Sequence, residues 1–184
     1  QDKTFIVAWQ QTKLLDSMLG SSELPNKQAI NIHVILERVR QLIKAETDER
    51  LKIITDYDPS IPEIEADKDQ LIQALLNVVK NASQAVQGSG EIVLKTRIHR
   101  NFTIGEETYK LAVKVDVIDD GPGIPDNMLT KIFYPMVTGR TEGTGLGLSI
   151  AQKNVQRHNG IIEVNSRPGQ TAFSTILPLG LTDE

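Results

Sequence analysis

Two glycine-rich blocks carry the residues best suited to chemistry in this chain, Asp119-Asp120-Gly121-Pro122-Gly123 and Gly143-Thr144-Gly145-Leu146-Gly147. The first follows an apolar run, Leu111 to Ile118, whose alternation after Ala112 predicts a strand, and the second opens a helical pattern. Glycine lets the backbone adopt positive φ and come close to a ligand. Backbone N–H groups at a glycine-rich turn entering a helix form an anion site, so the second block reads as a phosphate cradle. It matches neither of the best-known nucleotide signatures. No Lys-Ser or Lys-Thr follows Gly147, which excludes a P-loop, and the third glycine of the dinucleotide fingerprint is missing. Taken singly, each block is also what an ordinary loop looks like.

A stripe of amides forms the second candidate group. Gln73, Asn77 and Asn81 recur every four residues and so share one line along a helix. Asn is a poor interior helix former, so two of them a turn apart need a reason, either local hydrogen bonding or a ligand. An amide oxygen suits Mg²⁺, which keeps several waters and takes further ligands from substrate phosphates. Beside Asp119, strand alternation turns Asp120 to the opposite face and leaves Asp116 solvated. Thr144 and Ser149 are hydroxyls placed to donate to phosphate or to cap backbone N–H groups.

These groups require elements to hold them. Asp67-Lys68-Asp69-Gln70 reads as a capping box that starts a helix running to about Val86, with Leu71, Ile72, Leu75, Val78, Val79 and Ala82 inward. Ile35, Val39, Leu42 and Ile43 mark an earlier helix, and short strands are expected over 51–56 and 61–66. Further strands are expected at 91–98 and 109–118 joined by a polar loop, then a helix at 146–158, a strand at 161–165 and a last strand ending at Leu177. Helices with mainly antiparallel hairpins predict an α/β two-layer sandwich. Phe5, Ala8, Thr12, Leu15 and Leu19 give a short coiled-coil-like seam that Gly20 stops, followed by a linker.

Bulk properties narrow the class. A formal net charge of −4 over 184 residues argues against nucleic-acid binding, which relies on Lys and Arg neutralising phosphates. The absence of cysteine removes disulfides, thiolate catalysis and a Cys zinc site, and is compatible with a cytoplasmic setting. His33, His99 and His158 are far apart, and no apolar stretch approaches the roughly 18 residues that a membrane span needs.

The order of features is an Asn-bearing helix, Asp-x-Gly-x-Gly after a strand, Phe133-Tyr134-Pro135-Met136, then Gly-x-Gly-x-Gly opening a helix. This order resembles the ATP-binding domain shared by sensor histidine kinases, DNA gyrase, Hsp90 and MutL, over Ala29 to Leu179. The resemblance implies a Bergerat-type fold, with ATP and Mg²⁺ bound. It makes Asn81 the Mg²⁺-bridging residue with Asn77 in support, and Asp119 the acceptor for the adenine amino group. Gly121 and Gly123 would admit the base, Phe133 to Met136 would form part of the lid, and Gly143, Thr144, Gly145, Leu146 and Gly147 would line the triphosphate.

The ATPases of that superfamily carry a Glu four residues before the bridging Asn. Here the position is Asn77, which cannot take a proton from water. The resemblance therefore implies phosphoryl transfer to a histidine on a separate dimerisation domain. Residues 1–20 look like the end of that domain's second helix, 21–28 the linker, 29–180 the catalytic domain and 181–184 a tail. Phe133-Tyr134-Pro135-Met136-Val137-Thr138-Gly139-Arg140 and Asp56-Tyr57-Asp58-Pro59-Ser60-Ile61-Pro62 are similar to the nitrogen-regulation (NtrB) type of sensor kinase. That resemblance implies a cytosolic homodimer acting on an NtrC response regulator and dephosphorylating it with the PII signal protein.

The chain departs from many histidine kinases at Gln84, where a phosphate-contacting Lys or Arg is usual. Arg140 is the candidate replacement, Lys80 the alternative, and a solvated lid arginine the plain reading. None of the three histidines heads a phosphoacceptor box; His158 is expected to place partial positive charge at a helix C-terminus. An ATP-hydrolysing clamp and a non-enzymatic nucleotide-gated docking module are the other two functions compatible with the pattern.

Overall fold

The computed structural model describes residues 24–134 and 146–181. The expected first helix, Pro135 to Gly145 and the last three residues of the expected tail lie outside them. Strand β1 (Gln28–Ile30) is followed by helix α1 (Ile32–Glu46), β2 (Lys52–Asp56), β3 (Ile64–Ala66) and helix α2 (Lys68–Ala85). Strands β4 (Glu91–Ile104) and β5 (Glu107–Asp119) come next, then the short helix α3 (Asp126–Leu129), helix α4 (Gly147–Gln156), and strands β6 (Ile161–Arg167) and β7 (Gln170–Leu181). Among the described residues, β1 and β3 pair as a small antiparallel sheet and the others form a sheet in the order β2-β4-β5-β7-β6. Its pairs are antiparallel except β2 with β4, which are parallel because the chain crosses over through α2 between them.

Alternation decides which face is covered. Leu94, Val117 and Phe173 lie in register across β4, β5 and β7, as do Thr96, Val115 and Thr175, and all six are buried. Helices α1 and α2 and the apolar side of α4 contribute Ile35, Leu36, Val39, Leu71, Leu75, Val79, Ala151 and Val155 to the same core, giving the two-layer α/β sandwich expected. Asp119 shares this covered face with its register partners Ile92 and Thr171, whereas Asp120 is exposed. Asp116 on the other face is not merely solvated: its Oδ1 accepts from Ser174 Oγ at 2.5 Å, with Lys114 Nζ at 3.8 Å.

Several strands differ from the sequence reading: β1 is not among those expected, and the strand expected over 61–66 is only Ile64–Ala66. The expected polar loop between 98 and 109 is instead strand, and β4 and β5 turn on Gly105 and Glu106 alone, with Gly105 at φ +63 and Phe102 opposite Tyr109. The last strand continues past Leu177 through Pro178 to Leu181. β6 ends its pairing at Ile161 opposite Ile176, so β7 has one neighbour at Pro178, where a residue without an N–H is tolerated.

Candidate functional site

Helix α2 is the backbone of the site. Its N-cap Asp67 accepts from Gln70 N at 3.1 Å, the first half of the expected capping box. The reciprocal half comes from elsewhere: Asp67 N donates to His158 Nε2 at 2.9 Å. Since His158 Nε2 accepts, its proton sits on Nδ1, which donates to Asn154 O at 2.8 Å. Burial lowers the pKa of His158, in keeping with this neutral tautomer. The positive charge expected at this helix end is therefore absent; burial costs an imidazolium its hydration and the Asp67 N–H needs an acceptor.

The amide stripe splits into two uses. Gln73 is buried and its Oε1 accepts from Asn154 Nδ2 at 3.0 Å, while the same Nδ2 also donates to Gln70 O at 3.0 Å. Asn77 Nδ2 donates to Gly147 O at 3.1 Å. The partners on α4 and the turn just past its C-terminal end run 158, 154, 147 as those on α2 run 67, 70/73, 77, so the helices are antiparallel neighbours. Asn81 lies one turn, about 6 Å, beyond the last of these contacts, past the N-terminal end of α4. A Cβ at Gly147 would stand 3.8 Å from Asn77 Cβ and Cγ, an ordinary van der Waals contact, so this approach does not itself require glycine.

The start of α4 carries no side-chain cap. Ser149 Oγ donates to Leu146 O at 2.9 Å, so this hydroxyl neither caps an N–H nor points its proton at a ligand, as either sequence reading had it. Among the described residues, no side chain accepts from the first-turn N–H groups of this ten-residue helix, the end of a helix that attracts anions.

At the far end of α2 stands Asp119, 2 % exposed, whose Oδ1 accepts from Gly121 N at 2.9 Å. A Cβ on Gly121 would meet Asp119 Oδ1 at 2.9 Å and Ala85 O at 3.2 Å, so only glycine lets this loop close on the helix end. Gly123 has φ +88 and would place a Cβ 2.8 Å from Arg167 O. Gly169 N donates to Gly121 O, Ile124 N to Ser166 Oγ, and Asp120 Oδ1 accepts from Glu91 N. The loop after β5 is therefore fastened to the β6–β7 turn and to the start of β4, which fixes Asp119.

Phe133, at the start of the expected lid, packs edge-on against Phe173 with ring centres 6.2 Å apart. Arg140, Gly143, Thr144 and Gly145 lie outside the described residues. Lys80, the alternative phosphate cation, has its Nζ 3.7 Å from Glu46 Oε2 on α1. His33 is structural, its Nε2 2.8 Å from Thr96 Oγ1 and its ring stacked on Tyr57. Sequence reading missed Asn154, the acceptor role of His158, and Thr171, the last buried opposite Asp119 and hydrogen-bonded through Oγ1 to Ser166 Oγ. The one available signal was Asn154 and His158, two polar residues a turn apart amid the apolar positions of a helix.

Comparison with known proteins gives this geometry a family. Residues 66–181 match the family described as histidine kinase-, DNA gyrase B-, and HSP90-like ATPase. The chain is 47% identical over 168 residues to the sensory histidine kinase/phosphatase NtrB of Vibrio alginolyticus, covering 90% of this chain and 48% of that protein. It thus spans about half the length of the curated relatives it matches. Among solved structures it is similar to the catalytic domain of histidine kinase ThkA, with TM-score 0.72 and 28% identity over 84% of this chain and 96% of that one. Full-length ShkA in complex with AMPPNP gives TM-score 0.70 and 27% identity over 90% of this chain and 33% of that one. The chain belongs to the histidine kinase-, DNA gyrase B- and HSP90-like ATPase family, with the Bergerat-type fold of histidine kinase catalytic domains and NtrB among its similar relatives.

Proposed function

We propose that this chain is the ATP-binding catalytic domain of a sensor histidine kinase of the nitrogen-regulation type. It would hold ATP·Mg²⁺ while the γ-phosphoryl group passes to a histidine on a separate dimerisation domain, and from there to a response regulator of the NtrC type. The observation that carries this reading is the convergence around the last turns of α2. Asn81 stands one turn past Gly147, the N-terminal turn of α4 lies beside it, and Asp119 and Gly121 close on Ala85. Adenine is assigned to Asp119, the triphosphate to the N–H groups at Gly147, and the metal to the Asn81 amide oxygen between them.

The donor set fits Mg²⁺. Among the described residues there is no group of three or more His, Cys, Asp or Glu that could cage a metal. Mg²⁺ needs no cage, because one or two protein oxygens suffice when phosphates and water complete its shell. When bound, the ion supplies charge neutralisation on the transferring phosphoryl group. The chain's own part is placement of base and phosphates, which is most of what phosphoryl transfer asks of a protein.

Asn77 supports transfer over hydrolysis on two grounds. It is no base, and its amide proton is used by Gly147 O, a contact that a glutamate carboxylate has no hydrogen to make. Lys80 is turned to Glu46, which leaves Arg140 as the candidate cation for the phosphates. The relatives' name, sensory histidine kinase/phosphatase, pairs the two activities. We extend both to the parent protein, as a cytoplasmic homodimer that works with PII and is joined through a dimerisation domain to which residues 1–20 belong. No helix among the described residues is long and apolar enough to cross a membrane.

The test is phosphate transfer. Given γ-labelled ATP·Mg²⁺ and a separately prepared dimerisation domain, the chain should label that domain and not itself. Label on the chain alone overturns the missing acceptor, and steady hydrolysis without transfer overturns the kinase reading in favour of a clamp ATPase.

A further inference from the structure

Asn154 on α4 and His158 in the turn just past its C-terminal end are 2 % and 5 % exposed and polar, yet neither belongs to the nucleotide motifs. We propose that they are positioning residues, a polar latch that fixes where α4 sits along α2 and hence the distance from the Gly147 turn to Asn81. The inference rests on the nucleotide-site reading above.

The apolar contact between these helices does not set that distance by itself. Ala151 and Val155 of α4 share one apolar core with Leu71, Ala74 and Val78 of α2, and apolar helix faces packed by ridges and grooves carry no directional bond that would fix their register. Hydrogen bonds do fix it. Asp67 N to His158 Nε2 at 2.9 Å, Asn154 Nδ2 to Gln70 O and Gln73 Oε1 at 3.0 Å each, and Asn77 Nδ2 to Gly147 O at 3.1 Å form in one register. A slip of one turn, about 5.4 Å, breaks all of them and leaves buried polar groups without partners. Two rungs are also joined covalently and by hydrogen bond at the C-terminal end of α4, since His158 Nδ1 donates to Asn154 O. The latch thus connects the N-cap of α2 to the far end of α4, and its other end presents the phosphate-facing turn. Asp119 hangs on β5 and its loop, outside this set of bonds.

Base and phosphate binding should therefore respond differently when the latch is cut. Calorimetric affinities of the 184-residue chain for ATP·Mg²⁺ and for adenosine measure the two parts separately. Asn154→Leu is expected to weaken ATP about tenfold, equivalent to about 1.4 kcal/mol, and to leave adenosine unchanged. Equal losses for both ligands, or no loss for either, overturn the latch. If Asn154→Leu does not fold, His158→Leu cuts the other rung and carries the same expectation. His158→Gln, whose Oε1 can still accept from Asp67 N–H, should restore the ATP-to-adenosine ratio; a ratio as low as that of His158→Leu also overturns it. A wild-type chain that binds neither ligand overturns the nucleotide reading itself, so the two failures are distinguishable.

Discussion

The side-chain amide of Asn77 donates to the backbone carbonyl of Gly147 at 3.1 Å, tying the amide-bearing helix α2 to the first residue of α4. Asn77→Asp is nearly isosteric but sets an oxygen against that carbonyl. The expected loss is about 1–3 kcal/mol, seen as a lower urea midpoint at unchanged slope. The variant should also gain no steady ATP turnover, because the carboxylate takes the place of a donor bonded to the backbone. An unchanged midpoint would show that the bond does not form in solution.

Asp119 offers a second, independent test. Its Oδ1 is held by Gly121 N at 2.9 Å, so Asp119→Asn can keep that bond only by turning its NH₂ toward the site. A donor then faces the adenine amino group, itself a donor. Loss of a charge-assisted bond of about 1.5–3 kcal/mol corresponds to roughly ten- to hundredfold in ATP affinity. GTP binding should change much less, so the ATP-to-GTP ratio collapses. A wild-type ratio in the variant counts against Asp119 as the adenine acceptor.

The parts of the site that were legible in the sequence are those whose cause is local. Asp67 as an N-cap, the inward stripe of α2, and Val113, Val115 and Val117 alternating inward on β5 each follow from short-range periodicity or capping chemistry. What the amides of Gln73 and Asn77 do was not legible, because their partners lie 81 and 70 residues away and are set by the antiparallel packing of α2 on α4. His158 shows the same limit. Its sequence neighbours suggest a charged helix end, and only the distant Asp67 N–H makes the neutral ring the favoured form. Only the outer part of the β4–β5 hairpin, residues 99–108, escaped detection, because it is polar on the surface and the Phe102–Tyr109 and Thr103–Thr108 pairs that extend it are cross-strand facts.

The neutral His158 makes a pH prediction. Burial lowers its pKa from the ordinary 6.5, with Lys27 and Arg157 adding to the lowering and the Asn154 carbonyl and Asp67 opposing it. The unfolded chain therefore binds the proton more readily than the folded one. Stability from this group is fully present above about pH 6.5 and is lost as pH falls from there through the folded pKa. His33, also lowered by burial, acts with the same sign. His158→Gln keeps the acceptor for Asp67 N–H without titrating. Its denaturation midpoint should fall less steeply than wild type below pH 6.5, with the remaining slope removed in part by a change at His33. A wild-type slope in His158→Gln would mean that His158 is already charged in the fold.

Thr175 gives the last test, in the core beneath the helices. It is 1 % exposed, lies in register between Val115 and Ile162, and its Oγ1 has no hydrogen-bond partner among the described residues. A hydroxyl buried that way forfeits its bonds to water without replacing them. Thr175→Val keeps the β-branched shape that suits a strand and exchanges the hydroxyl for a methyl. The variant should be more stable by about 1 kcal/mol, a rise of roughly 2–4 °C in Tm for a chain of this size. Nucleotide affinity should stay at the wild-type value, because β7 at Thr175 is four register positions from Thr171 and its partner Asp119. A drop in Tm would show that the hydroxyl has a bonded partner in solution, and would place a polar contact inside a core that otherwise rests on Leu94, Val117, Phe173 and their neighbours.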